Sequence, residues 1–189
     1  MTDTDLLIES FDNMEVMINK LKETISSSLD VIKADAIELS KTHFDGSDLN
    51  SRIKSLFGPQ LKSEKIQYEF SGEKVKLNTD RSLVESIVEN LVSNSIKYKD
   101  ETKDSYIKIN LKQSENEYIL SVEDNGLGIN KRFHENLFSM FTRFHNVSDG
   151  TGLGLYNLKK TVERLKGELS FESEEGKGST FKVILPQNQ

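Results

Sequence analysis

No glycine precedes Gly46 and no proline precedes Pro59 in this 189-residue chain. Nothing before residue 46 therefore obliges the backbone to break a helix. Within that stretch Leu7, Phe11, Met14, Ile18, Leu21, Ile25 and Ile32 recur at steps of four and three, with Ser28 in the missing place. This is the a/d seam of a coiled coil, and a helix from Leu7 to Ile32 runs ~39 Å at about 1.5 Å per residue. Asp35 takes the next seam position, so tight pairing ends before it. Such a helix either packs on its own domain or meets a second helix. The seam is narrow and no nearby segment supplies a partner, which favours intermolecular pairing. A homodimer through this helix is the expectation.

The same segment is acidic. Residues 1–45 hold ten acids against four lysines, and the rest of the chain is balanced at 21 acids and 21 bases. Two differently solvated parts follow, a helical segment over 1–45 and a domain over 46–189. The acidic balance argues against a nucleic-acid partner, because no basic stripe displaces counterions. With no cysteine, a disulfide framework and a thiolate zinc site are excluded. No apolar run approaches the ~20 residues of a membrane span, and the start MTDTDLLIES lacks the basic region of a secretory signal. The expectation is a cytoplasmic chain that itself makes no membrane contact; a membrane anchor in a longer parent stays open.

From residue 46 the pattern alternates helix and strand. Ser47 or Asp48 caps a helix to about Phe57, ended by Gly58-Pro59. IQYEF and KVKLN, separated by Ser71-Gly72-Glu73, read as a hairpin. Thr79 or Asp80 caps a helix to about Tyr98, followed by strands YIKINLKQ and YILSVED. Residues 130–150 are irregular, 152–166 helical, and ELSFES and TFKVILP close as strands. Short turns between neighbouring strands favour a mixed, mostly antiparallel sheet with helices on one face. That is an α+β fold, a two-layer α/β sandwich.

Four segments carry chemistry. In ENLVSNSIKY, Asn90, Asn94 and Lys97 share a stripe within ~40° on a helix whose other side holds Val84, Val88, Leu91 and Val92. A carboxamide oxygen is a neutral hard ligand suited to a largely hydrated magnesium ion, and a lysine one turn on meets phosphate charge. The same stripe also fits a plain solvated face. In EDNGLGI, Asp124 ends a strand before Gly126 and Gly128, a fixed acceptor for an exocyclic amine such as that of adenine. In DGTGLGL, Gly150, Gly152 and Gly154 free backbone N–H groups for anions at a helix start. No GxxxxGK[ST] occurs, and no GxGxxG opens a helix after a first strand, so a nucleotide site here is of another kind. The fourth segment, LFSMFTRF, sets Phe138, Phe141 and Phe144 in a polar loop between the glycine clusters, as core residues or as the anchors of a lid. In a closing lid, Arg143 is the cation brought to the phosphates.

In this order the segments resemble the N, G1, F and G2 boxes of the ATP-binding catalytic domain of sensor histidine kinases, in the GHKL superfamily. The tail KKTVERLKGELSFESEEGKGSTFKVILP is similar to that family's closing helix and strands. The resemblance covers roughly residues 46–189 and implies a Bergerat-type sandwich. It implies Asn94 as the magnesium ligand, with Asn90 and Lys97 beside the phosphates and Tyr98 near the adenine. It implies Asp124 as the adenine-reading acid, with Gly126, Gly128, Ile129 and Thr180 around it. Residues 130–151 match a mobile ATP lid. Gly152 and Gly154 match its C-terminal hinge over the phosphates, and the resemblance implies ATP contacts by Gly150, Thr151, Leu153 and Leu155 as well.

Hydrolytic relatives carry a glutamate four residues before the metal asparagine, as base for water; here that position is Asn90. Glu89 points ~100° away around the helix. An amide cannot take the proton, which favours phosphoryl transfer over hydrolysis. The N-terminal helix is similar to the second helix of the family's dimerisation domain. None of His43, His134 and His145 has the context of the family's phosphoacceptor. The resemblance therefore implies a module that binds Mg-ATP and transfers the γ-phosphoryl group to a histidine supplied elsewhere, with a phosphoacceptor domain and a response regulator as partners. Two alternatives are a nucleotide-sensing dimerisation module without transfer and an anti-sigma-type serine kinase.

Overall fold

Residues 39–142 and 152–187, together with Met14 and Ile18, are described by the structure, a computed structural model. The chain order is β1 (Lys41–Asp45), α1 (Gly46–Ser63), β2 (Gln67–Ser71), β3 (Lys76–Asp80), α2 (Arg81–Lys97), β4 (Tyr106–Gln113) and β5 (Glu117–Asp124). A 3-10 turn (Lys131–Asn136), α3 (Gly154–Arg164), β6 (Glu168–Glu174) and β7 (Gly178–Pro186) follow. The main sheet has five strands in the order β2-β4-β5-β7-β6, and β1 pairs with β3 as a separate antiparallel ribbon. Only β2 and β4 run parallel; the other three pairings of the main sheet are antiparallel.

Alternation along the strands decides which face is covered. Ile107, Ile109 and Leu111 of β4, Tyr118, Leu120 and Val122 of β5, and Phe181, Val183 and Leu185 of β7 are buried together. Their neighbours Lys108, Lys112 and Lys182 are exposed on the other face. Onto the apolar face pack Leu49 and Ile53 of α1, Val84, Ile87, Val88, Leu91 and Val92 of α2, and Leu158 and Val162 of α3. Each such buried aliphatic contributes about 1.5–3 kcal/mol relative to exposure. This is the expected two-layer α+β sandwich with helices on one face.

Local chemistry explains most boundaries. Asp80 caps α2, accepting from Leu83 N at 3.2 Å and Ser82 Oγ at 2.6 Å, and its other oxygen takes Ser40 N at 3.0 Å. That carboxylate ties the entry of the domain to the start of the helix that carries Asn90 and Asn94.

Three expectations need correction. The cap of α1 is Asp45, in a capping box with Asp48, and the helix runs through Gly58-Pro59 to Ser63. Leu49, Ile53, Phe57 and Leu61 form a four-residue stripe against the core. Burying Leu61 outweighs the one helical hydrogen bond that Pro59 removes. IQYEF and KVKLN are not a hairpin: β2 pairs with β4 and β3 with β1. At Gly72, with φ 110°, a Cβ would stand 2.1 Å from Leu111 O. The turn thus crosses the end of β4, and Ser47 N and Gly46 N of α1 bond to Glu73 O and Val75 O. Finally, Lys41–Asp45, at the end of the segment assigned to the N-terminal helix, is a strand. Met14 and Ile18 are helical and about half exposed; the rest of the seam lies outside the described residues.

Candidate nucleotide site

Helix α2 presents its apolar stripe to the sheet and so turns Asn90 and Asn94 to one flank. Asn94 Nδ2 donates to Asn90 Oδ1 at 3.0 Å. The side chain of Asn90 lies against Gly154, where a Cβ would stand 3.4 Å from both of its polar atoms. The first turn of α3 is thereby seated on the asparagine stripe. Glu89 is directed to α1, where it meets Arg52 Nε at 2.7 Å, away from Asn94.

Beside this stripe is a cavity with a mostly apolar wall and a few convergent polar groups, the make-up of small-molecule sites. Asn94 and Ser95 of α2, Tyr98 at its C-cap, Asp124 at the end of β5, Gly128 and Ile129 of the loop that follows, Leu155 of α3, and Ser179 and Phe181 of β7 line it. Asp124 accepts from Gly126 N on Oδ1 at 2.9 Å and from Ser95 Oγ on Oδ2 at 3.1 Å. Burial raises its carboxyl pKa above the usual range, and the donors of Gly126, Ser95 and Ser179 offset part of that rise.

The glycine turn is fixed by its surroundings. Leu127 N donates to Tyr98 O at 2.9 Å, tying the end of α2 to the loop. Gly128 has φ 64°, and a Cβ there would lie 2.0 Å from Glu174 O; only glycine fits this approach of loop to β6. Ile129 N then donates to Ser173 Oγ at 2.8 Å, which sets the Ile129 side chain on the cavity wall.

Of the expected site residues, the structure brings Asn94, Tyr98, Asp124, Gly128, Ile129 and Leu155 together at the cavity. Gly126 acts through its N–H. Lys97 is outside the lining, with Nζ 5.1 Å from the Tyr98 ring centroid. Leu153 is buried at the start of α3, where its carbonyl accepts from Asn157 N at 2.8 Å, and Gly152 packs against the Phe141 backbone. Arg143, Gly150 and Thr151 lie outside the described residues. Thr180 is displaced by one residue: it pairs with Glu123, and strand alternation puts it opposite Ser179 and Phe181, which line the cavity.

Ser95, Ser179 and Phe181 were the residues missed. The last two were available from parity, because Phe181, Val183 and Leu185 mark the covered face and Ser179 shares it. Ser95 carried no comparable signal.

Of the segment expected to form the lid, residues 130–138 are anchored. Leu137 is buried, and Phe133 and Phe138 pack on the core. Phe138 meets Phe171 edge-on at 5.7 Å, and Phe171 stacks on Phe181 of the cavity wall at 5.9 Å. Beyond them Met140 and Phe141 are exposed. Among the described residues there is no cluster of three or more His, Asp or Glu able to hold a metal, and no helix long and apolar enough to cross a membrane.

The family model for the histidine kinase-, DNA gyrase B-, and HSP90-like ATPases matches residues 79–189. The autoinducer 2 sensor kinase/phosphatase LuxQ of Vibrio vulnificus (strain YJ016) is 28% identical over 94% of this chain and 22% of its own. The chain spans about a fifth of the length of such curated relatives. The catalytic domain of the histidine kinase ThkA superposes with a TM-score of 0.67 at 26% identity, over 78% of this chain and 96% of that one. ThkA in complex with the response regulator protein TrrA gives a TM-score of 0.72 at 21% identity, over 100% of this chain and 53% of that one. The chain thus belongs to the histidine kinase-, DNA gyrase B- and HSP90-like ATPase family, and its domain is the ATP-binding catalytic module of the sensor histidine kinase kind.

Proposed function

We propose that the chain binds Mg-ATP in this cavity and transfers the γ-phosphoryl group to a histidine supplied by another segment or chain. The observation that carries the reading is a partly buried carboxylate, Asp124, held by Gly126 N–H and Ser95 Oγ on the wall that also holds Asn94. Ile129, Leu155 and Phe181 supply apolar surface for a flat base, and Asp124 takes a hydrogen bond from its exocyclic amine. Asn94 gives its Nδ2 to Asn90, which leaves Oδ1 as the atom for a cation. A neutral oxygen fits magnesium that keeps waters and phosphates as its other ligands. When bound, magnesium neutralises charge on the phosphates. Lys97 and Arg143 add positive charge, and catalysis is positioning and charge neutralisation.

Water is a poor acceptor in this site. Asn90 has no proton-accepting carboxylate, and the adjacent Glu89 is held by Arg52. The reading is tested first by calorimetry of ATP binding with magnesium and with chelator. Binding that tightens with magnesium supports it, and no binding in either condition overturns it.

The partners follow from the same reading: a phosphoacceptor histidine domain, a response regulator, and a second copy through the N-terminal helix. Met14 and Ile18, four residues apart and both exposed on helix, support that seam. Sedimentation of Ile18→Asp tests the dimer. A halved mass is expected, and an unchanged mass contradicts an intermolecular seam.

A further inference from the structure

Ser95 is 7% exposed and lines the cavity next to Asp124. Its hydroxyl oxygen stands 3.1 Å from two acceptors, Leu91 O one helical turn back and Asp124 Oδ2. One hydroxyl hydrogen serves one of them at a time. The bond to the carbonyl four residues earlier is available to a serine in any helix. The carboxylate is the acceptor particular to this cavity.

An ionised carboxylate has about four lone-pair positions. At Asp124 the N–H of Gly126 takes one on Oδ1 and the hydroxyl of Ser95 one on Oδ2. The positions that remain leave room for a donor from a ligand. The carboxylate torsion is broad and two-fold, so the direction of those positions depends on the donors that hold the group. Gly126 holds it through a backbone N–H; among the described residues Ser95 is the side-chain donor that a substitution can remove.

Resting on the reading of Asp124 as the group that meets the base, we propose that Ser95 is a positioning residue for base recognition. By donating to Oδ2 it fixes the carboxylate so that a remaining lone pair meets the exocyclic amine of adenine. Ser95 acts through Asp124 and touches neither the sugar nor the phosphates. Removing its hydroxyl weakens the contact to the amine and leaves the rest of nucleotide binding in place. Alanine is well tolerated in a helix, and Leu91 O keeps its helical N–H partner in Ser95→Ala.

The test is calorimetry of the chain and its Ser95→Ala variant with two ligands, ATP and purine riboside 5′-triphosphate. The second has hydrogen where ATP has the amine, with the same sugar and phosphates. The wild type is expected to prefer ATP by about tenfold or more, the scale of a hydrogen bond to a charged group. Ser95→Ala is expected to lose about tenfold in ATP affinity and less than about twofold for the purine riboside, collapsing the preference. Equal losses for both ligands mean a packing role and overturn the proposal, and so does an undiminished preference in the variant. Equal affinity of the wild type for both ligands is a different failure: it removes the base reading by Asp124 itself.

Discussion

At one end of the cavity Asp124 is partly buried and held by Gly126 N–H and Ser95 Oγ, with the glycine turn beside it tied to Tyr98 and Ser173. At the other end Asn94 is fixed by a single amide contact to Asn90, and Lys97 rests partly exposed over the Tyr98 ring. The first, the base end on the proposed reading, is complete before a ligand arrives. The second, the phosphate end on that reading, is a set of polar groups to be organised by the charge they bind. The difference follows from solvation: a buried carboxylate must be satisfied by protein donors, whereas groups near water need not be. On the proposed reading, discrimination resides at the rigid end, and metal dependence at the other.

Asp124→Asn strikes the rigid end and should have the largest effect. It exchanges an acceptor for a donor where the base amine binds, and ATP affinity is expected to fall by about 100-fold or more. The apo melting temperature should hold or rise, because a desolvated charge is removed. A lowered melting temperature with intact binding would reverse the assignment.

Asn94→Ala strikes the other end. Its ATP affinity is expected to fall by about tenfold or more with magnesium and by less than about twofold with chelator. Equal losses in the two conditions would show that Asn94 contacts the nucleotide and not the metal.

The raised pKa of Asp124 gives the comparison a pH axis. In the window between its ordinary value of 3.8 and the raised folded value, the folded apo chain binds more protons than the unfolded one. The stability from that proton is fully present below the unfolded value and is lost as pH rises through the folded one. The melting-temperature advantage of Asp124→Asn over wild type should thus grow as pH rises above about 4 through the raised folded value. A constant difference would contradict a desolvated carboxylate.

Lys97→Ala should do least. A partly exposed cation is screened, so the expected loss is about two- to fivefold in ATP affinity at low salt, vanishing near 1 M. A loss that survives high salt would place Lys97 in direct, desolvated contact.

The same contrast governs what was legible in the sequence. The glycine turn and Asp124 were readable because backbone approach demands glycine and a strand end offers a fixed acceptor. The α2 cap at Asp80 and strands β4 to β7 followed from capping chemistry and alternation. Pairing was not legible for β2 and β3, because a short turn with Gly72 reads as a hairpin while β4 and β1 claim the two strands. Pro59 misled for a similar reason: the depth at which Leu61 is buried is a tertiary fact. Thr180 fell one residue from the cavity although parity with Phe181 would have selected Ser179. Ser95 was hidden because its importance lies in a partner 29 residues away, Asp124.

The central claim is transfer of the γ-phosphoryl group to a histidine. Its most direct test is incubation of the chain with γ-labelled Mg-ATP, alone and with a histidine-bearing helical hairpin from a related kinase. The account predicts acid-labile, base-stable label on the hairpin and none on the chain alone. Release of free phosphate with no label on any hairpin, while ATP remains bound, would contradict it and identify a hydrolytic site instead.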